Sequence, residues 1–356
     1  MSFNLHRKIP TRFRLEYGFY QFFDHFLGRN FFFKLTKKRR TVFYRNLHNY
    51  LKGQGEGQTY QVERIQDLSK DDFINQYVKK EIPVILEGAA AQWKCVQEWT
   101  LDYFKELHGD DEIIFMDQTD LTKAYEKTTL GDVIDQMKNG VNKYYRFYPL
   151  LKKHPEHILD FDYQWIKERK QKGNYGDAFQ AFLSPAGGFT PIHNSSSHNL
   201  FIQSHGEKEW ILYPKEYTCV IDPFPTKNVY RNAPVRSDIY FNPFKNNFQG
   251  YHLYQYIDQY RVHLKAGDVF YNPPYVWHCV QNPTESIGVG YRYFTPFKTF
   301  LKTPLYFFLE LFAFTPPIWK TWSNYSDFNI TQLIETGKLK ELKKEHGLKK
   351  IKDSVS

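Results

Sequence analysis

Cysteine is scarce in this chain of 356 residues: Cys95, Cys219 and Cys279 stand far apart, and no Cys-x-x-Cys pair occurs. Three scattered thiols provide neither a disulfide framework nor a thiolate zinc site, and they fit a reducing, cytoplasmic compartment. Long apolar runs are missing too. The longest candidate, Leu305–Phe314, has ten residues, contains Glu310 and lies between Pro304 and Pro316-Pro317. A spanning helix needs ~18 such residues. The N-terminus has no uninterrupted apolar stretch with a small-residue cleavage site, so no secretory signal is expected. No internal repeat is found, which sets aside solenoids and propellers.

What is abundant is aromatic. The chain has 32 Phe and 27 Tyr, enough to expect a folded core over most of its length. The net charge of +9 is local: residues 1–45 hold eleven Lys/Arg against Glu16 and Asp24, and account for the whole excess. A neutral remainder, with one further Lys-rich run at 337–352, argues against a nucleic-acid-binding body. Phe19, Phe22, Phe23, Phe26 and Leu27 recur with helical spacing, and Lys37-Lys38-Arg39-Arg40 follows. Two readings stay open for this basic aromatic extension. It is an interfacial helix for an anionic membrane surface, which would make the protein membrane-peripheral. Or it packs its aromatic face on the main domain.

The order of signals suggests three regions: an extension and Gly/Gln-rich linker over 1–58 (the linker at 51–58), a main domain over 59–297, and a helical tail over 298–356. Within the main domain, a helical lead-in over 65–140 precedes a barrel at about 143–297. Helix starts are expected at Ser69-x-x-Asp72, at Thr100 before Leu101, Phe104 and Leu107, and at Thr129-x-x-Asp132. Pro83–Leu86 reads as a buried strand. From about 180 the pattern alternates with period two, with strands expected at Ala181–Leu183, Asn199–Ser204, Glu209–Tyr213, Arg261–Leu264, Asp268–Tyr271 and Ser286–Phe294. Short strands between Gly/Pro turns imply a mainly β sandwich or barrel with helical additions. The apolar stretch 296–322 is expected to cap it, and a Lys/Glu helix is expected at 331–352.

Two histidines stand out. His193 follows the Gly187-Gly188 turn in Thr190-Pro191-Ile192-His193, and His278 ends GDVFYNPPYVWH. Imidazoles from two stretches of one barrel can bind a first-row metal, and a carboxylate would complete a facial triad. Each can equally be a hydrogen-bonded core residue. Lys208 lies fifteen residues after His193, at the start of a strand. A buried ammonium needs a partner, and a dianionic ligand would serve; Thr190 and Asn199 could add neutral hydrogen bonds to it. A solvent-facing Lys208 is the alternative.

Taken together, these residues resemble a family. The stretch Gly187–Pro214, containing TPIHNSSSHNLFIQSHGEKEWILYP, and GDVFYNPPYVWH are similar to the JmjC-type cupin-like oxygenases. That group includes the asparaginyl hydroxylase of the hypoxia factor and the JmjC-only protein hydroxylases. IPVILEGAAAQWKCVQEWTLDYFKELHGD (82–110) and Tyr144-Tyr145-Arg146-Phe147 match its lead-in, and the resemblance covers about 65–297. It implies a double-stranded β-helix of the cupin or jelly-roll type. It further implies Fe(II) on His193 and His278, and 2-oxoglutarate held by Lys208 with Thr190, Asn199 and Tyr145. The implied reaction hydroxylates a C–H bond of an unidentified protein, lipid or small molecule while 2-oxoglutarate becomes succinate and carbon dioxide. Homodimerisation through the C-terminal helices is a further implication.

The departure falls at the metal. Where the family has His-x-Asp, this chain has Ser195, a neutral and poor ligand, and no Asp or Glu occurs between Phe189 and Gly206. Three consequences are open: iron on two imidazoles plus water or halide, a carboxylate from elsewhere, or loss of the metal. The last would leave an inactive pseudo-oxygenase that binds a ligand or partner. His198 is read as structural.

Overall fold

The structure, a computed structural model, describes residues 7–115, 126–141, 145–148, 150–223, 231–232, 242–245 and 252–313. Its centre is two facing sheets. One runs β1 (Thr59–Gln61), β12 (Gln259–Leu264), β10 (Lys208–Tyr213), β14 (Trp277–Gln281), β8 (Phe189–Asn194), β11 (Arg231–Asn232). The other runs β2 (Arg64–Ile65), β3 (Val84–Leu86), β13 (Val269–Asn272), β9 (His198–His205), β15 (Ser286–Phe294), β7 (Tyr175–Ser184), β6 (Tyr145–Tyr148). From β7 to β10, and again from β12 to β15, the chain alternates between the sheets. This winding is the expected double-stranded β-helix. A separate hairpin joins β4 (Glu112–Phe115) and β5 (Glu126–Thr129).

Period-two alternation assigns every strand residue a side. The inner faces bring Trp210, Leu212, Val262, Val276 and Val280 from one sheet against Ile85, Phe182, Phe201 and Phe270 from the other. Each such side chain, fully buried, contributes about 1.5–3 kcal/mol against the entropy of folding. The alternate residues point outward into two further cores. Leu200, Ile202, Val289, Tyr291 and Tyr293 meet the helical lead-in. Ile211, Tyr213, Trp277 and Cys279 meet the N-terminal helices.

Those helices are α1 (Thr11–Leu27) and α2 (Arg29–Gly53), hinged at Gly28, whose φ of 84° suits glycine. They bury Phe13, Tyr17, Tyr20, Phe43, Leu47 and Leu51 against the barrel, so the extension packs on the main domain. The expected contact face was off by about a third of a turn. The buried row is Phe13, Tyr17, Tyr20 and Asp24, while Phe19, Phe26 and Leu27 stay exposed. The reason is Asp24, which faces inward to hydrogen-bond Arg40 of α2 at 3.0 Å and turns the polar residue into core. The linker also starts later than expected, since α2 continues to Gly53.

The anticipated helix starts form as drawn from the sequence. Ser69 accepts a hydrogen bond from the Asp72 N–H (3.1 Å). Thr100 caps α3 (Leu101–His108) through Tyr103 (3.0 Å), and Thr129 caps α4 (Leu130–Lys138) through Asp132 (3.2 Å); each cap stabilises by about 1 kcal/mol. On α3, Leu107 is exposed and His108 is buried, its Nε2 2.7 Å from that of His157. β8 and β14 were not expected as strands. Of the stretch 296–322, the described part forms α5 (Pro296–Lys302) and α6 (Pro304–Leu311), which bury Thr299, Leu309 and Glu310 but leave Phe297, Phe300 and Leu301 exposed; residues 314–322 lie outside the described residues. The Lys/Glu helix expected at 331–352 lies outside the described residues.

Candidate functional site

His193 on β8 and His278 on β14 are directly opposed across one antiparallel ladder. Their ring centroids are 4.2 Å apart, with planes at 57°. His193 Nδ1 lies 2.8 Å from the Pro191 carbonyl, and His278 Nδ1 lies 2.9 Å from the Val276 carbonyl. A carbonyl only accepts, so each Nδ1 carries a proton, which in a neutral ring leaves the lone pair on Nε2. That is the tautomer in which histidine binds metals. Burial pushes His278 down to about 4; the Val276 carbonyl opposes this and the nearby Arg292 charge adds to it. The ring is therefore neutral near pH 7.

Ser195 follows just beyond β8, in the loop before β9. Its Oγ is 2.8 Å from Ser197 Oγ, and its carbonyl accepts the Tyr275 N–H at 2.8 Å. Among the described residues, no group of three His, Cys, Asp or Glu converges as a metal cage.

Lys208 is buried at the inner start of β10. Its Nζ donates to Asn282 Oδ1 and lies 5.8 Å from the Phe201 ring centroid. Asn282 is itself fixed, donating from Nδ2 to the Gly188 carbonyl at 2.8 Å. The ammonium thus sits in the barrel and not in bulk water. Thr190 is buried opposite Val280, on the inner face. It stands three residues before His193, whereas their partners Val280 and His278 stand two apart; an irregularity in the ladder absorbs the extra residue. Asn199 of β9 lies opposite both Asn272 and Arg292.

Tyr145 is the exception. It pairs with Leu183 and packs 5.7 Å from the Tyr148 ring, in the core between barrel and helical lead-in. The register of β6 on β7 turns it to the outer face, away from the imidazoles. His198 is also apart. Both ring nitrogens are hydrogen-bonded, Nδ1 to Tyr271 Oη and Nε2 to Thr295 Oγ1, each at 2.8 Å, and the ring stacks on Tyr293.

Sequence reasoning missed Asn272, Asn282, Trp210 and Arg292. Asn272 Nδ2 lies 3.3 Å from His278 Nδ1, and the Trp210 ring is 5.2 Å from the His278 ring. Arg292 had a readable signal. In Ser286–Phe294, Ile287, Val289 and Tyr291 mark one face, so Gly288, Gly290 and Arg292 share the other. The glycines let the inner wall approach closely: a Cβ at Gly288 would fall 2.3 Å from the Phe201 ring, and one at Gly290 would fall 3.0 Å from Asn199 Oδ1.

The donor set can be tested against an implied metal and cosubstrate. Asn199 Oδ1, Asn272 Oδ1 and Trp210 Nε1 are buried without a hydrogen-bond partner among the described residues. Buried polar atoms left so cost about 1–3 kcal/mol each, which suits a cavity built around a polar occupant. Two imidazoles whose Nδ1 atoms are engaged by backbone carbonyls suit a divalent ion, and Lys208 suits a carboxylate. Ser195, which stands where the family's motif has a carboxylate, brings no charge.

Comparison with known proteins agrees with this architecture. The cupin-like domain profile matches residues 70–299. The Arabidopsis thaliana protein named lysine-specific demethylase JMJ30 is 24% identical over 246 residues, which is 65% of this chain and 54% of that protein. The Homo sapiens bifunctional peptidase and (3S)-lysyl hydroxylase JMJD7 is 21% identical over 252 residues, 62% of this chain and 80% of its own. The Homo sapiens tRNA wybutosine-synthesizing protein 5 is 23% identical over 279 residues, 70% and 83% respectively. The chain spans about half the length of several curated relatives, JMJ30 among them. With two thirds of its residues matched by the profile and the barrel wound as described, the chain belongs to the cupin-like domain family.

Proposed function

We propose that this chain is an Fe(II)- and 2-oxoglutarate-dependent oxygenase that hydroxylates an unidentified protein, lipid or small-molecule substrate. One observation carries the reading: two opposed imidazoles, each with Nδ1 tied to a backbone carbonyl, share a barrel with a buried ammonium. Relatives whose names include demethylase and lysyl hydroxylase support the reaction class. In this reading His193 and His278 hold the metal, and Lys208, Thr190 and Asn199 hold the cosubstrate. Fe(II) with 2-oxoglutarate supplies the oxygen chemistry. The chain's own residues orient both imidazoles through Nδ1, neutralise a carboxylate, and exclude water with Phe182, Phe201 and Trp210.

The test is anaerobic Fe(II) binding and 2-oxoglutarate consumption by wild type, His278→Ala and Lys208→Gln. Wild type is expected to bind iron and consume 2-oxoglutarate. His278→Ala loses iron, and Lys208→Gln keeps iron while needing far more cosubstrate. A wild type that neither binds iron nor consumes 2-oxoglutarate refutes the reading.

Arg292 favours a second reading. Its buried guanidinium adds positive charge near His278, which opposes a divalent ion and favours an anion. The protein is then a metal-free binding module. It would take up 2-oxoglutarate in the presence of a chelator and lose that binding in Arg292→Gln.

A further inference from the structure

Large apolar side chains are unevenly exposed on this molecule. Among the described residues, 14 of the 18 that are exposed lie on α1, α2, α5 and α6 or at the end of α6. Scattered singly they would need no explanation, but concentrated on one group of helices they mark a contact surface. Phe31 is 57% exposed, Leu35 67%, Leu301 62% and Phe297 74%.

The residues are ordered. On α1, Arg12, Leu15, Phe19, Phe22 and Phe26 recur at intervals of three and four, so they form one stripe. It lies beside the Phe13–Tyr17–Tyr20 row that faces the barrel. The stripe continues onto α6. Phe22 stacks on Phe308 (6.2 Å between centroids), Phe26 meets Phe312 (5.3 Å), and Phe308 meets Phe312 (5.0 Å). On α2, Phe31, Lys34, Leu35, Lys38, Val42 and Arg45 form a second exposed stripe, apolar and basic side chains alternating. Phe19 reaches α2 through Phe32 (6.0 Å) and lies under Arg39 (5.7 Å).

Charge decides what this face meets. Arg12, Arg14, Lys34, Lys37, Lys38, Arg39 and Arg45 are all exposed on α1 and α2, against Glu16 and the buried Asp24. A face of phenylalanine and leucine with lysine and arginine among them is complementary to a bilayer with anionic headgroups: apolar rings enter the acyl boundary while cations stay at the phosphates. No helix among the described residues is long and apolar enough to cross a membrane, so the contact is in-plane. We infer that α1, α2, α5 and α6 dock this protein on anionic phospholipid. The docking face adjoins the pocket. Tyr306 of α6 packs 6.3 Å from the Tyr275 ring, and the Tyr275 N–H is bonded to the Ser195 carbonyl. A docked molecule therefore holds the Ser195 side of its barrel near the bilayer.

The experiment is cosedimentation of the full chain with phosphatidylcholine vesicles, with and without phosphatidylglycerol, alongside sedimentation velocity without lipid. Variants are K34E/K38E and L35S/F297S, whose side chains are exposed and leave the core intact, as circular dichroism checks. Wild type is expected to bind only the anionic vesicles. Binding weakens when salt of about 1 M shortens the screening length to ~3 Å. Each basic side chain removed costs about fivefold, so K34E/K38E loses about 25-fold or more. L35S/F297S weakens binding at every salt concentration. Equal binding by K34E/K38E and wild type overturns the inference. No binding also overturns it. In that case a dimer broken by L35S/F297S assigns the face to a second copy, and a monomer assigns it to residues 314–356 of the same chain. None of these outcomes depends on whether the barrel holds iron.

Discussion

Under the proposed oxygenase reading, Ser195→Asp puts a carboxylate where the family's motif carries one, and its effect can be worked out. Ser195 follows His193 by two residues, just past the end of β8. Its carbonyl is anchored by the Tyr275 N–H at 2.8 Å, so the backbone is held for the new side chain. At ~4 Å and an effective dielectric of about 20, a carboxylate and a divalent ion attract by about 8 kcal/mol. Desolvating the pair returns several kcal/mol of this. The lost Ser195–Ser197 hydrogen bond, 2.8 Å in the native chain, costs about 1 kcal/mol more. About 3 kcal/mol remains, roughly a hundredfold tighter metal binding. Anaerobic titration with Fe(II) against a competing chelator measures it. The gain must vanish in the double variant Ser195→Asp/His278→Ala. A folded Ser195→Asp protein with unchanged iron affinity would mean that the two imidazoles do not serve a common ion, and the oxygenase reading would fall with that result.

Two predictions concern the scaffold. Arg40 is buried between Asp24 and the Tyr20 ring, so Arg40→Ala strands a carboxylate in the core and should cost about 3–5 kcal/mol in urea unfolding. Asp24→Leu/Arg40→Met should cost much less; an equal loss would show that packing, not charge, sets the effect. His198 is pushed down to about 3, first by burial and then by the charges of Lys302 and Lys298. The native ring stays neutral where the unfolded ring takes a proton, so stability is full above pH ~6.5 and falls below it. At pH 5 the loss is about 2 kcal/mol, and His198→Gln should flatten that slope.

Much of this was legible in the residues. Alternation in Asn199–Ser204 and Ser286–Phe294 gave the barrel strands, and Ser/Thr-x-x-Asp spacing gave the helix starts, because both are local properties of the backbone. His193, His278 and Lys208 could be singled out because a strand interior has little room for an unpartnered polar group. What was not legible depended on pairing between distant strands. Tyr145 faces outward because of the register of β6 on β7, which no window of sequence contains. Arg292 reads as one more charged residue until Gly288 and Gly290 are seen to share its side. The α1 stripe was misassigned because hydrophobicity alone ranks Phe above Asp, and the Asp24–Arg40 pair reverses that order.

The uneven ladder between β8 and β14 makes the pocket depend on a count. Three steps separate Thr190 from His193, and an odd step in a regular strand sends two side chains to opposite surfaces. Were the irregularity straightened with every residue kept, the hydrogen-bonding pattern would run true while turning either the threonine or the imidazole out of the cavity. Every pocket residue would still be present in the chain, and the constellation would be gone.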